Sequence, residues 1–287
     1  MSLLTVKGLT KSYPGFTLDK VSFSIEPGYI MGFIGRNGAG KTTTMKAMLN
    51  LIKKDSGEVL FDGRDYFENE MECKQQIGFV NGEFSCYLKS KLRTIADVTM
   101  RFYDEWDEAL YREYLRRFDL DDNKRVSELS AGMRVKFALA LALSHNAKLL
   151  ILDEPTSGLD PVSRDDLLDV FRSVIEDGRH SILFSTHIIS DLEKCADMIT
   201  YIKHGRILAS CDVESFKSGY LLVSGESADL AEAGSYLLGV KKHAFGFTGL
   251  IRAEDAERAG GLRTAPADLE SIMIYIEQEA ENEGSAL

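Results

Sequence analysis

The sequence predicts an α/β fold in which a mostly parallel sheet carries a glycine-rich loop and is interrupted by a helical insertion. Three observations predict it. An apolar run, Tyr29-Ile30-Met31-Gly32-Phe33-Ile34, leads into Gly35-Arg36-Asn37-Gly38-Ala39-Gly40-Lys41-Thr42-Thr43, and a helical pattern follows from Thr44. Two more short apolar runs, at 149–152 and 181–185, alternate with helical stretches, the arrangement that builds parallel sheets. From about residue 90 to 144 the apolar spacing is helical almost throughout.

In chain order, residues 3–13 and 17–25 read as strands. Val21, Phe23 and Ile25 alternate with Ser22, Ser24 and Glu26, a half-buried antiparallel pattern. Glu26-Pro27-Gly28 turns the chain into the buried strand before the glycine loop. The helix after Lys41 is expected to reach about residue 51, with short strands at 57–63 and 77–80. In the insertion, Leu110, Tyr111, Tyr114, Leu115 and Phe118 share a helical face after Trp106, which assigns these aromatics to a core. A strand is expected at 148–154. Pro161 is well placed to open a helix running to about 177. Residues 198–203 and 206–210 flank His204-Gly205 as a hairpin. Beyond 213, Gly and Ser breaks are frequent, and a last helix is expected over 266–281, with Leu269, Ile272, Met273 and Ile276 on one face.

Composition narrows the function classes. The 287 residues carry 34 Lys and Arg against 45 Asp and Glu, a net charge of −11. That argues against a nucleic-acid binder working through a general basic surface. The excess is concentrated late, with 13 acidic and 6 basic residues over 213–287. Cys73, Cys86, Cys195 and Cys211 form no C-x-x-C pair and read as reduced thiols. No basic segment followed by an apolar core opens the chain, so no signal peptide is expected. The longest apolar runs are far short of the roughly 18–20 residues of a membrane span. If the protein serves a membrane, it does so through a partner.

The chemistry starts at the glycine loop, which fits G-x-x-x-x-G-K-[ST]. Gly35, Arg36, Asn37, Gly38, Ala39, Gly40, Lys41, Thr42 and Thr43 would wrap backbone N–H groups around phosphate oxygens. Lys41 would sit against the β- and γ-phosphates of ATP, and the Thr42 hydroxyl on Mg²⁺. Asp153 and Glu154 end an apolar strand, where a carboxylate faces the ligand crevice of a parallel sheet. Asp153 suits the metal; Glu154 beside it suits a general base that deprotonates the attacking water. Ser130 and Gly132, in Leu129-Ser130-Ala131-Gly132-Met133, open an apolar helix. By physics alone they are a second anion site or a plain helix cap in equal measure. A lone His187 after a strand is more often structural.

Taken together and in order, Gly35 to Thr42, Leu129-Ser130-Ala131-Gly132-Met133, the strand ending in Asp153-Glu154, Ser157-Gly158-Leu159-Asp160-Pro161 and Ser185-Thr186-His187 resemble the ATP-binding subunit of ABC transporters. The resemblance covers roughly 3–210. Ala131 and Met133 look like the exporter branch that moves drugs and peptide antibiotics. It implies a P-loop NTPase core with a RecA-like parallel sheet, an antiparallel β subdomain, an inserted α-helical subdomain at about 84–147, and a small α+β C-terminal extension. The ATP-binding domain would span 1–212 and an acidic accessory domain 213–287. It implies that two subunits, a homodimer or a pair with a sister ATPase, sandwich two ATPs head to tail. Ser130 and Gly132 would then touch the γ-phosphate held by the opposite subunit, Asp160 would line the seam, and His187 would be a switch residue on the γ-phosphate. Tyr13, in Lys11-Ser12-Tyr13-Pro14-Gly15, matches the aromatic that stacks on adenine, although a core role is open to it. The family's glutamine after the strand at 77–80 is absent. Asn81-Gly82-Glu83-Phe84 stands there, and Glu83 is assigned the site, with Asn81 the alternative if the loop is shifted. The implied partner is a separately encoded polytopic permease docked near 84–101, with the chain peripheral on the inner face of the cell membrane. The rival readings are a soluble cassette ATPase acting on ribosomes or DNA, and a P-loop kinase or non-hydrolysing regulator. One cassette, no heptad stretch and the negative charge argue against the first. Asp153-Glu154 and Ser130 argue against the second.

Overall fold

The two strand patterns at the start pair with each other. β1 (Leu4–Tyr13) and β2 (Phe16–Ile25) form an antiparallel ribbon closed by the Pro14-Gly15 turn. The computed structural model describes residues 2–81 and 87–284. The chain continues through β3 (Ile30–Ile34), α1 (Lys41–Met48), β4 (Ser56–Phe61), β5 (Arg64–Asp65), α2 (Glu70–Gln75) and β6 (Ile77–Asn81). The insertion follows with α3 (Leu92–Thr99), α4 (Glu108–Arg117) and α5 (Ala131–Ser144). Then come β7 (Leu149–Asp153), α6 (Pro161–Ile175), β8 (Ser181–Thr186), α7 (Ile189–Cys195), β9 (Met198–Lys203) and β10 (Arg206–Asp212). The remainder is α8 (Val213–Ser218), β11 (Tyr220–Gly225), α9 (Leu230–Ala233), β12 (Val240–His243), β13 (Gly246–Arg252), β14 (Arg263–Pro266) and α10 (Leu269–Gly284).

Contacts divide the chain into one unit up to Ser210 and another from Cys211. The first contains an antiparallel sheet of order β2-β1-β4-β5 and a six-stranded sheet of order β10-β9-β3-β8-β7-β6. In the larger sheet β9, β3, β8, β7 and β6 run parallel. Every residue of β3, β7 and β8 is buried, as expected where both faces of a parallel sheet are covered. One core joins Val6, Leu9 and Val59 of the antiparallel sheet to Met45 and Met48 of α1 and to Phe33 and Ile151 of the parallel sheet. In the second unit, β12-β13-β11-β14 form a sheet whose Val223, Phe247 and Ile251 pack with Leu237 and Ala259.

Differences from the sequence pattern have local causes. The helix after Lys41 stops at Met48, and Asn50 follows at φ 55, a left-handed conformation that ends a helix. The last helix begins at Leu269 because Pro266 ends β14, pairing with Leu221, and Asp268 caps the start by accepting from Ser271 N at 2.6 Å. The face of Leu269, Ile272, Met273 and Ile276 is buried as expected. On α4, Tyr111, Tyr114 and Leu115 are buried, with Phe118 just beyond its end. Trp106 is only half-buried and leans on Tyr111, ring centroids 5.4 Å apart. The polar helices α2 and α7 and the two-residue β5 carry too little apolar periodicity to be seen in advance. Among the described residues no helix is long and apolar enough to cross a membrane.

His145, just past α5, is built into the fold as a neutral ring. It stacks on Tyr103 with centroids 3.6 Å apart, and its Nδ1 lies 3.0 Å from the Gln75 carbonyl oxygen, which can only accept. Burial pushes its pKa from 6.5 down to about 4. Because the folded value is depressed, the unfolded chain takes up the proton first as pH falls. The contribution of His145 is therefore complete above about pH 6.5 and lost toward pH 4. Urea unfolding at pH 7 and pH 5 should show the wild type losing about 2 kcal/mol more than His145→Asn across that interval.

Candidate functional site

The carboxyl ends of the parallel strands gather the polar residues of the predicted site. Ile34 is in register with Thr186, and Asn81 with Asp153. The loop after β3, the acids at the end of β7 and His187 after β8 therefore emerge along one edge. The loop after β3 winds closely under α1. A Cβ on Gly35 would stand 2.3 Å from the Ile202 carbonyl oxygen, so no larger residue fits. Gly40 precedes α1 at φ 115, a conformation L side chains avoid. No side-chain oxygen caps α1, and its first turn holds no acid, which leaves its N–H groups and positive dipole end for an anion.

The charged groups form a linked set. Lys41 is buried, and its Nζ donates to the Gly35 carbonyl at 2.8 Å. The same Nζ lies 3.2 Å from Oε1 of Glu154. Oε2 of Glu154 is 2.8 Å from Nδ1 of His187, so in that contact Nδ1 bears the proton. Asp153 is buried and accepts at Oδ1 from Thr42 at 3.1 Å and Ser185 at 2.6 Å. The Ser185 hydroxyl in turn accepts from Glu154 N at 2.8 Å. Glu154 has φ 51, a left-handed conformation rare for a residue with a Cβ, and this bond from its own N–H helps hold it there.

A cleft of about 740 Å³ opens over this set, lined by Gly15, Phe16, Asn37, Gly38, Gly40, Lys41, Thr42, Thr43, Glu154, Ser157 and His187. Its size suits a nucleotide. Thr42 and Asp153 offer a hydroxyl and a carboxylate side by side, the hard oxygen donors that Mg²⁺ prefers. Such a lining allows phosphate binding, charge neutralisation and proton abstraction from a water by Glu154.

The other predicted residues stand apart from this lining. Ser130 caps α5, its hydroxyl accepting from Met133 N at 3.2 Å. A Cβ on Gly132 would lie 3.6 Å from that of Ser163, so the first turn of α5 packs on the first turn of α6. Asp160 caps α6, accepting from Val162 N and Ser163 N, both at 3.0 Å. Hydrogen bonds from Ser163 hold its carboxyl below the usual range. Ser130, Gly132 and Asp160 thus form a second group beside the cleft. Tyr13 ends β1 half-exposed, opposite Phe16 across the turn, with Lys11 Nζ 5.4 Å from its ring centroid. Phe16 and Gly15 line the cleft, and the sequence did not separate the two aromatics because one turn brings both to the same end of the ribbon. Ser157, the first residue of the run Ser157-Gly158-Leu159-Asp160-Pro161, also lines it. Glu83 lies outside the described residues. Asn81 ends β6 with its side chain exposed, level with Asp153.

Comparison with known proteins adds the family. Residues 18–157 match the family model described as ABC transporter. The ABC transporter ATP-binding protein YtrB of Bacillus subtilis is 28% identical over 284 residues, covering 95% of this chain and 97% of that protein. The lantibiotic transport ATP-binding protein SrtF of Streptococcus pyogenes is 34% identical over 209 residues, 72% of this chain and 89% of that protein. A solved structure described as an ATP-binding subunit of an ABC transporter superposes with a TM-score of 0.67 at 27% identity, over 75% of this chain and 92% of its own. The phosphate loop, the acid-ended strand and the full-length likeness to such subunits agree, and the chain belongs to the ABC transporter family as an ATP-binding, ATP-hydrolysing subunit.

Proposed function

We propose that this chain is the ATPase of an exporter and drives a separately encoded polytopic permease. The observation that carries the hydrolytic part is the linked set Lys41–Glu154–His187 at the mouth of the phosphate loop. In this reading the N–H groups of Gly38, Ala39, Gly40, Lys41, Thr42 and Thr43, together with Gly35, Arg36 and Asn37, hold the phosphates of ATP, and Lys41 turns from Glu154 to the γ-phosphate. Thr42 and Asp153 would hold Mg²⁺, which supplies positive charge to the β- and γ-phosphate oxygens when bound. Glu154 takes the proton of the attacking water. His187 orients Glu154 through Nδ1 and meets the γ-phosphate. Tyr13 or its neighbour Phe16 stacks on adenine. Glu83 is kept as the residue standing for the family's missing glutamine.

Ser130 and Gly132, grouped with Asp160 beside the cleft, support completion of each site by a second molecule, a copy of this chain or a sister ATPase. Electrostatic closure of that kind is what phosphoryl transfer requires, since its barrier falls mainly by positioning and charge. Residues 1–212 serve as the ATP-binding domain and 213–287 as an accessory domain, a division within two residues of the observed contact boundary. The permease is read as docking on the helical insertion, where Tyr87, Val98, Met100 and Phe102 are exposed and a groove of about 290 Å³ runs between Tyr87, Ile95 and Val98. Exposed apolar patches of this kind mark partner sites. Export, with the chain on the inner face of the membrane, is supported by Ala131-Gly132-Met133 and by the lantibiotic transport role named for one relative.

Two measurements test this. Glu154→Gln should keep ATP affinity within about twofold and dimerise with ATP while turnover falls by 10²-fold or more, the usual contribution of a general base. Hydrolysis at the wild-type rate would show that Glu154 is not the base. Val98→Asp with Phe102→Asp should leave the ATPase of the purified chain unchanged and abolish its recovery with membranes carrying the permease. Unchanged recovery would place the dock elsewhere.

A further inference from the structure

We infer that Asp191 is a positioning residue of the hydrolytic site, holding the segment after Glu154 and the segment around His187 in one register. The inference rests on the roles of Glu154 and His187 proposed above. Asp191 lies in the first turn of α7 and is fully buried, yet it does not line the cleft. An isolated buried carboxylate is costly, so its partners disclose its task. Oδ2 accepts from the Thr156 hydroxyl at 2.7 Å and from the Thr186 hydroxyl at 3.4 Å. Oδ1 accepts from Arg164 Nε at 2.5 Å, and the same guanidinium also donates to Ser190.

These partners come from three segments. Thr156 sits two residues past Glu154 on the way to Asp160, and it is buried. Thr186 immediately precedes His187, and its hydroxyl also accepts from Ile188 N at 3.0 Å, so the backbone is pinned on both sides of His187. Arg164 belongs to α6, the helix that Asp160 caps. Anchoring α7 to α6 needs only the Arg164–Asp191 pair, and apolar packing would serve as well energetically. The two threonine bonds do something else. They join the backbone leaving Glu154 to the backbone entering His187, the two side chains that meet at 2.8 Å in the cleft. A shift of either segment misaligns that contact, and misplacement on the order of 1 Å in a reacting pair costs up to about 10²-fold in rate.

Removing Asp191 itself risks the fold, so the test is made at Thr156 in the full chain. Thr156→Val keeps the shape and deletes the bond; Thr156→Ser restores the hydroxyl. Thr156→Val should lower kcat about tenfold with KM for ATP and nucleotide affinity within twofold of wild type, and Thr156→Ser should recover most of the rate. A kcat for Thr156→Val within twofold of wild type overturns the inference. So does a loss that Thr156→Ser does not rescue, or one in which ATP affinity falls equally. Glu154→Gln is assayed alongside. If it is inactive while Thr156→Val is fully active, the positioning role alone fails; if it hydrolyses normally, the underlying reading of the site fails.

Discussion

The buried carboxylate of Asp153 is the point on which the site depends. It closes β7, takes the Thr42 hydroxyl from α1 and the Ser185 hydroxyl from β8, and so ties the helix of the phosphate loop to two adjacent strands. Ser185 passes the constraint on by accepting the N–H of Glu154. A charge this deep is tolerable only because its oxygen is bonded twice. The consequence is geometric: the residue following Asp153 is delivered, in a left-handed conformation, to within 3.2 Å of Lys41.

Around that centre the fold supplies rigidity through ordinary means. The central strands are buried on both faces, and the α1 core clamps the antiparallel sheet to the parallel one. The start of α1 and the ends of two buried strands carry the residues proposed for chemistry, while the residues proposed to meet a second molecule, Ser130 and Asp160, are helix caps engaged with backbone N–H groups. The division fits a subunit that binds ATP alone and is completed from outside. The helical insertion adds a run of exposed apolar residues, Tyr87, Leu88, Val98, Met100 and Phe102.

Much of this was legible in the amino-acid order. The loop from Gly35 to Thr43, the apolar run ending in Asp153-Glu154 and the strand before His187 are local signals, each a short stretch whose residue types are set by backbone and phosphate chemistry. Their spacing was enough for the α/β class, the inserted helices and the parallel core. Polar helices such as α2 and α7 escaped, since periodicity needs an apolar face to be visible. A small α+β extension was expected after Cys211, but its four strands were not placed one by one, since β11, β12 and β14 are short and show no alternating buried face.

By itself, then, the sequence determined where the phosphate-loop pattern lies and which strand ends carry acids, because those demands act within a few neighbouring residues. Only the tertiary structure decided which of them meet. Lys41, Glu154 and His187 are separated by more than a hundred residues in all, yet one parallel register brings them into contact. The antiparallel ribbon set Phe16 at the cleft wall, while helix packing left Ser130 and Asp160 out of its lining and put Asp191 against the segments of both Glu154 and His187. Contacts of that kind depend on strand order and helix packing, which no local pattern of residues encodes.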